Sequence, residues 1–241
     1  HVAEPYDPAQ DGLAGYALTA SHPGIVKWNR ALSVAFALGL AALAFLLAMD
    51  LTASLPAAAA AALLTALSPE LISGSAVIGV DMPMSFLCLL SAYLALGLVR
   101  RFSLPLLIAA GLAAGLAVST KYNALPAALL PLLVCVMTRQ LRWTALLAAV
   151  AAPPAGFILG TPYALASLPT FLDQFAYEIW HYGIAGHEGH SGEPGWPQAW
   201  FYVKWLAWSG LGAAACGLAV IGAGVQLTRS FKAAAAVLFF P

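Results

Sequence analysis

The stretch ALSVAFALGLAALAFLLAM, residues 31–49, decides the fold of this chain because it contains no charged residue. A bilayer core about 30 Å thick requires roughly 20 consecutive apolar residues in each helix that crosses it. Further apolar runs follow at about 55–77, 84–99, 105–122, 126–138, 144–162 and 200–228, and another begins at 231. The sequence therefore predicts an all-α, polytopic transmembrane helix bundle of about seven to eight membrane helices.

The composition supports a membrane protein and excludes one class of function. Hydrophobic residues make up 62% of the chain and charged residues 8%, whereas soluble domains contain roughly 45–50% apolar and about 25% charged residues. The formal net charge is zero, so there is no basic excess to attract nucleic acid. We expect membrane lipids and lipid-borne molecules as partners.

Lysine and arginine in the short loops predict the orientation, because cytoplasmic loops retain positive charge. Alternate loops contain Arg100, Arg101, Arg139, Arg142, Arg229 and Lys232. With these loops cytoplasmic, residues 1–30 form an outward-facing N-terminal segment. Residues 31–241 form the transmembrane helical domain, with a long outward loop at 163–199. The chain starts in a polar stretch and stops inside an apolar run, so we expect a fragment.

Asp81 lies between the second and third apolar runs, at a predicted outward turn, with Pro83 placed to begin the next helix. One interpretation is a helix N-cap, which typically contributes about 1 kcal/mol. The other is a carboxylate of a functional site at the membrane surface. Both interpretations are compatible with the sequence.

Two lysines stand where the loop charges predict few cations. Lys121 closes the fourth run at its outward end, against the positive-inside trend. Its anionic partner is either a lipid phosphate or Asp81 in a structural ion pair. Lys204 opens the seventh run among aromatic residues. It is either a substrate contact or an interfacial anchor whose ammonium reaches the headgroups.

The predicted outward loop concentrates aromatic, acidic and imidazole side chains between residues 175 and 193. Such groups suit a sugar and the proton transfers of its chemistry. A zinc site formed by His181, His187 and His190 is the competing interpretation. The spacing of these histidines is not that of an HExxH motif, and the glycines between them disfavour a helix, so no metal site is predicted. A polar surface loop without a catalytic part is the remaining alternative.

Five motifs together carry a family resemblance. They are NRALS (29–33), LSP (67–69), VDMP (80–83), GLAVSTKYN (115–123) and HY followed by GH (181–187). Their order and their agreement with the predicted topology resemble the dolichyl-phosphate-mannose protein mannosyltransferase-like family, within the GT-C class of glycosyltransferases. The resemblance covers roughly residues 25–205.

The resemblance implies a transferase that moves a sugar from a polyprenyl-phosphate-linked donor to a protein, glycan or lipid acceptor. Asp81 would be the acidic residue of the second outward loop, and Lys121 would bind the phosphate of the carrier lipid. The other residues that would line the substrate cavity are Tyr122, His181, Tyr182 and His187. The family's acidic pair in the first outward loop does not occur here, and Glu4 and Asp7 are the nearest candidates for the general base.

The expected reaction is an inverting displacement on the outer face of a bacterial inner membrane. It requires no cofactor, and a divalent cation, Mg²⁺ or Mn²⁺, stays an open alternative. The runner-up is a transporter or lipid flippase, which would usually show ionisable residues or broken helices near mid-membrane. Only Glu70 and a kink expected at Pro153 and Pro154 fit that description.

Overall fold

The computed structural model describes residues 23–181 and 195–239, and within these ranges the chain forms helices and no strand. The predicted all-α architecture is confirmed. The described residues divide into two compact units, 23–67 with 71–86, and 68–70 with 87–181 and 195–239. The α-helices of the described part are α1 (Pro23–Thr52), α2 (Leu55–Ala66), α3 (Pro69–Ala76), α4 (Asp81–Arg100), α5 (Leu104–Thr120), α6 (Leu130–Met137), α7 (Trp143–Gly160), α8 (Tyr163–Ala166), α9 (Leu168–Trp180), α10 (Trp196–Trp205), α11 (Ala213–Arg229) and α12 (Phe231–Leu238).

Fewer helices than predicted are long and straight enough to cross a membrane. Within the described ranges three qualify, α1 from Gly24, α4 and α7, or up to five if each of two bent pairs counts as one span. The bent pairs are α2 with α3, at 51°, and α10 with α11, at 119°. Two further apolar stretches, Leu104–Thr120 and Tyr122–Met137, are shorter. Each of the seven predicted runs thus corresponds to a helical stretch, but several are broken or short.

The breaks have local causes in the sequence. Pro69 begins α3 directly after the interruption at residues 67–68, and a proline fits the first turn of a helix because its nitrogen needs no acceptor. Residues Tyr122–Leu129, which contain Pro126, form a 3₁₀ helix ahead of α6. Gly212, with φ of +84°, lies between α10 and α11, in a conformation that L-amino acids with a Cβ rarely adopt.

The first unit is built on the hairpin of α1 and α2. Ala53 turns the chain with φ of +52°, and the Ser54 side chain caps α2 by accepting a hydrogen bond from the Ala57 N–H at 3.4 Å. The ring of Phe86, at the start of α4, lies against α1. A Cβ added to Gly39 would lie only 2.7 Å from that ring, so glycine is what allows this contact.

The second unit is centred on α5 and α7, which pack backbone against backbone. A methyl group on Gly115 would overlap the carbonyl oxygen of Pro153, and one on Gly156 would overlap that of Leu112. Small residues four apart in α5, such as Gly111 and Gly115, allow the two backbones to approach this closely. Contacts advance in the same direction along both helices, from Gly111 beside Ala152 toward the ends near residues 119 and 160, so α5 and α7 are parallel.

Around this pair the unit buries a small-residue core. Ser91, fully buried on α4, donates its hydroxyl hydrogen to the Ala110 carbonyl of α5 at 3.0 Å, which satisfies a polar group that would be costly to leave unpaired in an apolar interior. Helix α7 continues through Pro153 and Pro154 without interruption. The core residues are Ala92, Ala95, Leu98, Leu107, Ala110, Leu130, Val134, Cys135, Ala145, Ala149 and Ala236.

The segment 163–199 contains more regular structure than a loop. Helices α8 and α9 occupy its first part, and α10 begins at Trp196. In α9 the apolar residues Leu168, Phe171, Leu172, Phe175 and Ile179 recur at helical spacing, and a helix with one such face can pack against neighbouring helices. The outward position of this segment stays a prediction.

Candidate functional site

Lys121 lies at the point where α5 ends. Its backbone is extended, with φ of −157° and ψ of 129°, and its N–H donates to the Ala117 carbonyl as the C-terminal cap. Its own carbonyl accepts from the Ala124 N–H at 3.0 Å, which starts the 3₁₀ helix. The residue is partly buried. A cation at a helix C-terminus is favoured there by the helix dipole.

The parallel packing of α5 and α7 brings the ends of these two helices together. Ser119 Oγ and Thr161 Oγ1 share a hydrogen bond of 2.8 Å, one residue beyond the end of α7. Lys121 therefore lies at the same end of the helix pair as Thr161. The arginines that precede the two helices, Arg100 and Arg101 before α5 and Arg139 and Arg142 before α7, lie at the opposite end.

Aromatic rings of α9 cover this end of the pair. Tyr122 contacts Phe175 edge to face with ring centroids 5.1 Å apart, and Phe175 stacks on Phe171 at 6.1 Å. Phe171 in turn contacts Phe157 of α7 at 5.9 Å. Such aromatic pairs contribute more stabilising free energy than the burial of their apolar area alone. The aromatic row fixes α9 beside Tyr122, and hence beside the residue that precedes it in the chain.

His181 is placed by the last turn of α9. Its ring stacks on Tyr177, with centroids 5.6 Å apart and planes 11° from parallel, and Trp180 lies 5.9 Å from the same tyrosine ring. His181 follows Phe175 along the helix by about 9 Å at the usual rise per residue. Helix α9 therefore contacts Tyr122 through Phe175 and positions His181 at its C-terminal end. Lys121 is the chain neighbour of Tyr122.

Several members of this arrangement were not predicted from the sequence. They are Ser119, Phe157, Thr161, Phe171 and Phe175. The helical periodicity of residues 168–179 was a signal for α9, but the pairing of its aromatic face with α5 and α7 required the packed structure. Among residues 23–181 and 195–239, no group of three His, Cys, Asp or Glu side chains could hold a metal ion.

Asp81 belongs to the other compact unit and is the first residue of α4. It is exposed, and a negative charge in the first turn of a helix is favoured by the helix dipole. The next residue, Met82, is buried and its methyl group reaches α3, where a Cβ on Gly74 would lie 2.7 Å away. Packing of Met82 thus holds the helix start that presents Asp81.

Lys204 lies in a separate cluster. Its neighbours Phe201, Trp205 and Trp208 line a cleft of about 370 Å³ with it, and all four residues belong to α10 and the π-helical turn Leu206–Gly210 that continues it. The structure does not bring Lys204 into the group formed by Lys121, Tyr122 and His181. Glu4, Asp7, Tyr182 and His187 lie outside the described residues, as does His190.

The long apolar helices are those of an integral membrane protein, and a cluster of one cation and several aromatic rings lies at one end of its parallel helix pair. A sequence model of the dolichyl-phosphate-mannose-protein mannosyltransferase family matches residues 19–182. The chain belongs to this family, and it is a membrane glycosyltransferase. No curated protein sequence and no solved structure matches it significantly. The match includes Asp81, Lys121 and His181 but ends before Lys204.

Proposed function

We propose that the protein transfers a sugar from a polyprenyl-phosphate-linked donor to a protein, glycan or lipid acceptor on the outer face of the membrane. One observation carries the proposal. Lys121 is partly buried at the end of the α5 and α7 pair that lies away from the basic turns, beside Tyr122 and the aromatic row of α9. A lysine ammonium is a compact point charge suited to a phosphate.

The charges of the second unit support the outward orientation. Arg100, Arg101, Arg139 and Arg142 precede α5 and α7, and basic residues favour the cytoplasmic side. Because the two helices are parallel, their other ends, with Lys121 and Thr161, then face outward. We infer a bacterial inner membrane with the reaction on its periplasmic side.

The proposed chemistry is a single inverting displacement. The acceptor hydroxyl oxygen bonds to the anomeric carbon while the bond from that carbon to the phosphate oxygen breaks, and the phosphate leaves with the electron pair. A carboxylate takes the hydroxyl proton, and its candidates are Asp81, Glu4 and Asp7. Lys121 stabilises the negative charge that grows on the phosphate. This electrostatic interaction is stronger in a site shielded by helices than in water.

The sugar would lie toward the C-terminal turn of α9. There Tyr177 and Trp180 are half exposed and His181 is partly buried, and aromatic faces suit the C–H surface of a pyranose ring. Tyr182 and His187 lie outside the described residues, and we assign them to the same cavity on the family resemblance alone. Lys204, outside this group, fits the interfacial interpretation better than a contact with the donor.

The decisive experiment measures sugar transfer from a panel of polyprenyl-phosphate sugars by the full-length protein in lipid nanodiscs. Asp81→Asn is expected to lower kcat/KM by about tenfold or more, because general-base catalysis typically contributes at least this much. The lysines and arginines of the short loops also predict that Asp50, near the end of α1, faces the cytoplasm. Asp50→Asn, which makes the same change there, is therefore the matched control.

Loss of transfer in Asp81→Asn but not in Asp50→Asn would support both the enzyme class and the role of Asp81. A folded protein that turns over no donor of the panel would contradict the proposed donor class. Equal losses in both variants would remove Asp81 from the mechanism.

A further inference from the structure

The open cleft around Lys204 has the composition of a lipid-headgroup site. Phe201, Lys204, Trp205 and Trp208 recur at spacings of three and four residues, so they share one face of α10 and the π-helical turn. Three aromatic side chains and one lysine thus line the cleft together. Within residues 23–181 and 195–239, the side chains that line the cleft are these three aromatic residues and Lys204, a set suited to binding an anionic headgroup.

The geometry of the segment suits the membrane interface. A 119° bend separates α10 with its π-helical turn from α11. If α11 runs parallel to the membrane normal, α10 is therefore strongly tilted toward the membrane plane. The bend is fixed by Gly212, with φ of +84°. It is also fixed by Ser68, whose hydroxyl donates to the carbonyl of buried Gly210 at 3.1 Å. Both residues of this hydrogen bond belong to the second unit.

Exposure along the segment agrees with this placement. Trp208 is 84% exposed and Trp196 78%, while Trp200 and Tyr202 are about half exposed. Tryptophan and tyrosine concentrate at the level of the headgroups, because their rings are apolar at one end and polar at the other. Lysine in the same layer extends its ammonium toward phosphates.

We propose that the Lys204 cleft binds the phosphate of an anionic phospholipid of the bilayer, separately from the lipid-linked donor. The single cation complements the net negative charge of such a headgroup, and the aromatic walls accommodate its glycerol and upper acyl carbons. The donor phosphate is assigned to Lys121 instead, where a shielded position and nearby polar groups suit a reaction. The matched family range also ends before α10.

Native mass spectrometry of the full-length protein titrated with phosphatidylglycerol tests this site, because it resolves each bound lipid. Lys204→Gln should raise the Kd of the most tightly bound phosphatidylglycerol roughly fivefold, which is the usual effect of one lysine near an anionic surface. Phosphatidylcholine binding should not change. Lys204→Arg should retain most of the affinity, and Trp208→Ala should lower it.

Lys232→Gln is the matched control, because it removes the same charge from an exposed helix position outside the cleft. Equal weakening in the two glutamine variants would show general attraction to negative lipid and overturn the proposal. Displacement of phosphatidylglycerol by polyprenyl phosphate would also overturn it, since the cleft would then belong to the carrier lipid. Should Lys204→Gln fail to fold, Lys204→Arg and Trp208→Ala keep the comparison decisive.

Discussion

Replacing Lys121 by alanine is expected to lower kcat/KM for sugar transfer by roughly 100-fold, the usual cost of losing one preorganised group that stabilises charge in a transition state. The charge on the leaving phosphate grows as its bond to the anomeric carbon breaks. Without the ammonium, the described groups at this end of α5 that could face the phosphate, such as Tyr122 and the hydroxyls of Ser119 and Thr161, carry no positive charge. The measurement is steady-state transfer in nanodiscs with a saturating acceptor and a varied donor.

Two further variants make the Lys121 result specific. Lys121→Arg keeps a positive charge and should retain more activity than the alanine variant. Arg139→Ala removes a cation from the opposite end of the α5 and α7 pair and should leave donor turnover near its original value. If Lys121→Ala stays folded and transfers sugar at the original rate, Lys121 does not bind the donor phosphate. A loss of thermal stability with unchanged turnover would favour a structural ion pair.

Replacing Gly115 by alanine is expected to destabilise the protein by about 3 kcal/mol or more, at the upper end of overpacking costs. The added methyl would overlap the Pro153 carbonyl oxygen and lie 2.7 Å from the Phe157 nitrogen. Both are backbone atoms, so no change of rotamer relieves the clash and the helices must separate. The apparent melting temperature in detergent micelles should fall by roughly 10 °C.

Gly217→Ala is the matched control for this steric prediction. Gly217 lies within α11, and a Cβ there would meet no atom within 4 Å. Alanine is the better helix former by about 1 kcal/mol, so this variant should be neutral or slightly more stable. A Gly115→Ala protein as stable as the control would refute the close approach of α5 and α7.

The sequence predicted the helices well and their straightness less well. The runs lack charges because charges are costly in lipid, and each appears as helix because a helix satisfies its backbone hydrogen bonds within the segment. The bend at Gly212 depends on a positive φ, which glycine permits but does not require. Helix α9 was expected to belong to a loop because residues 163–199 lie between two apolar runs, although Phe171 and Phe175 stand at helical spacing.

The charged residues of the candidate site were predictable, and the residues that pack around them from α7 and α9 were not. Lys121 stood out because a cation at that end of a run opposes the charge distribution of the other loops. Thr161 and Phe157 lie some 40 residues further along the chain, and their approach follows from helix packing that no local pattern encodes. Asp81 could be selected from its position at a helix start, while its role stays a prediction.

The glycines that let α5 and α7 touch also define a register. Successive residues of a helix point about 100° apart, so a slip of one position would place Leu116 against the Pro153 carbonyl, where even a methyl group does not fit. The same slip would move the end of α5, and with it Tyr122, out of its contact with Phe175 of α9. The position of the lysine that we assign to the donor phosphate thus depends on the spacing of small residues about one turn and a half earlier in the chain. We expect an insertion or deletion between Gly115 and Lys121 to displace this lysine without changing the identity of any residue of the site.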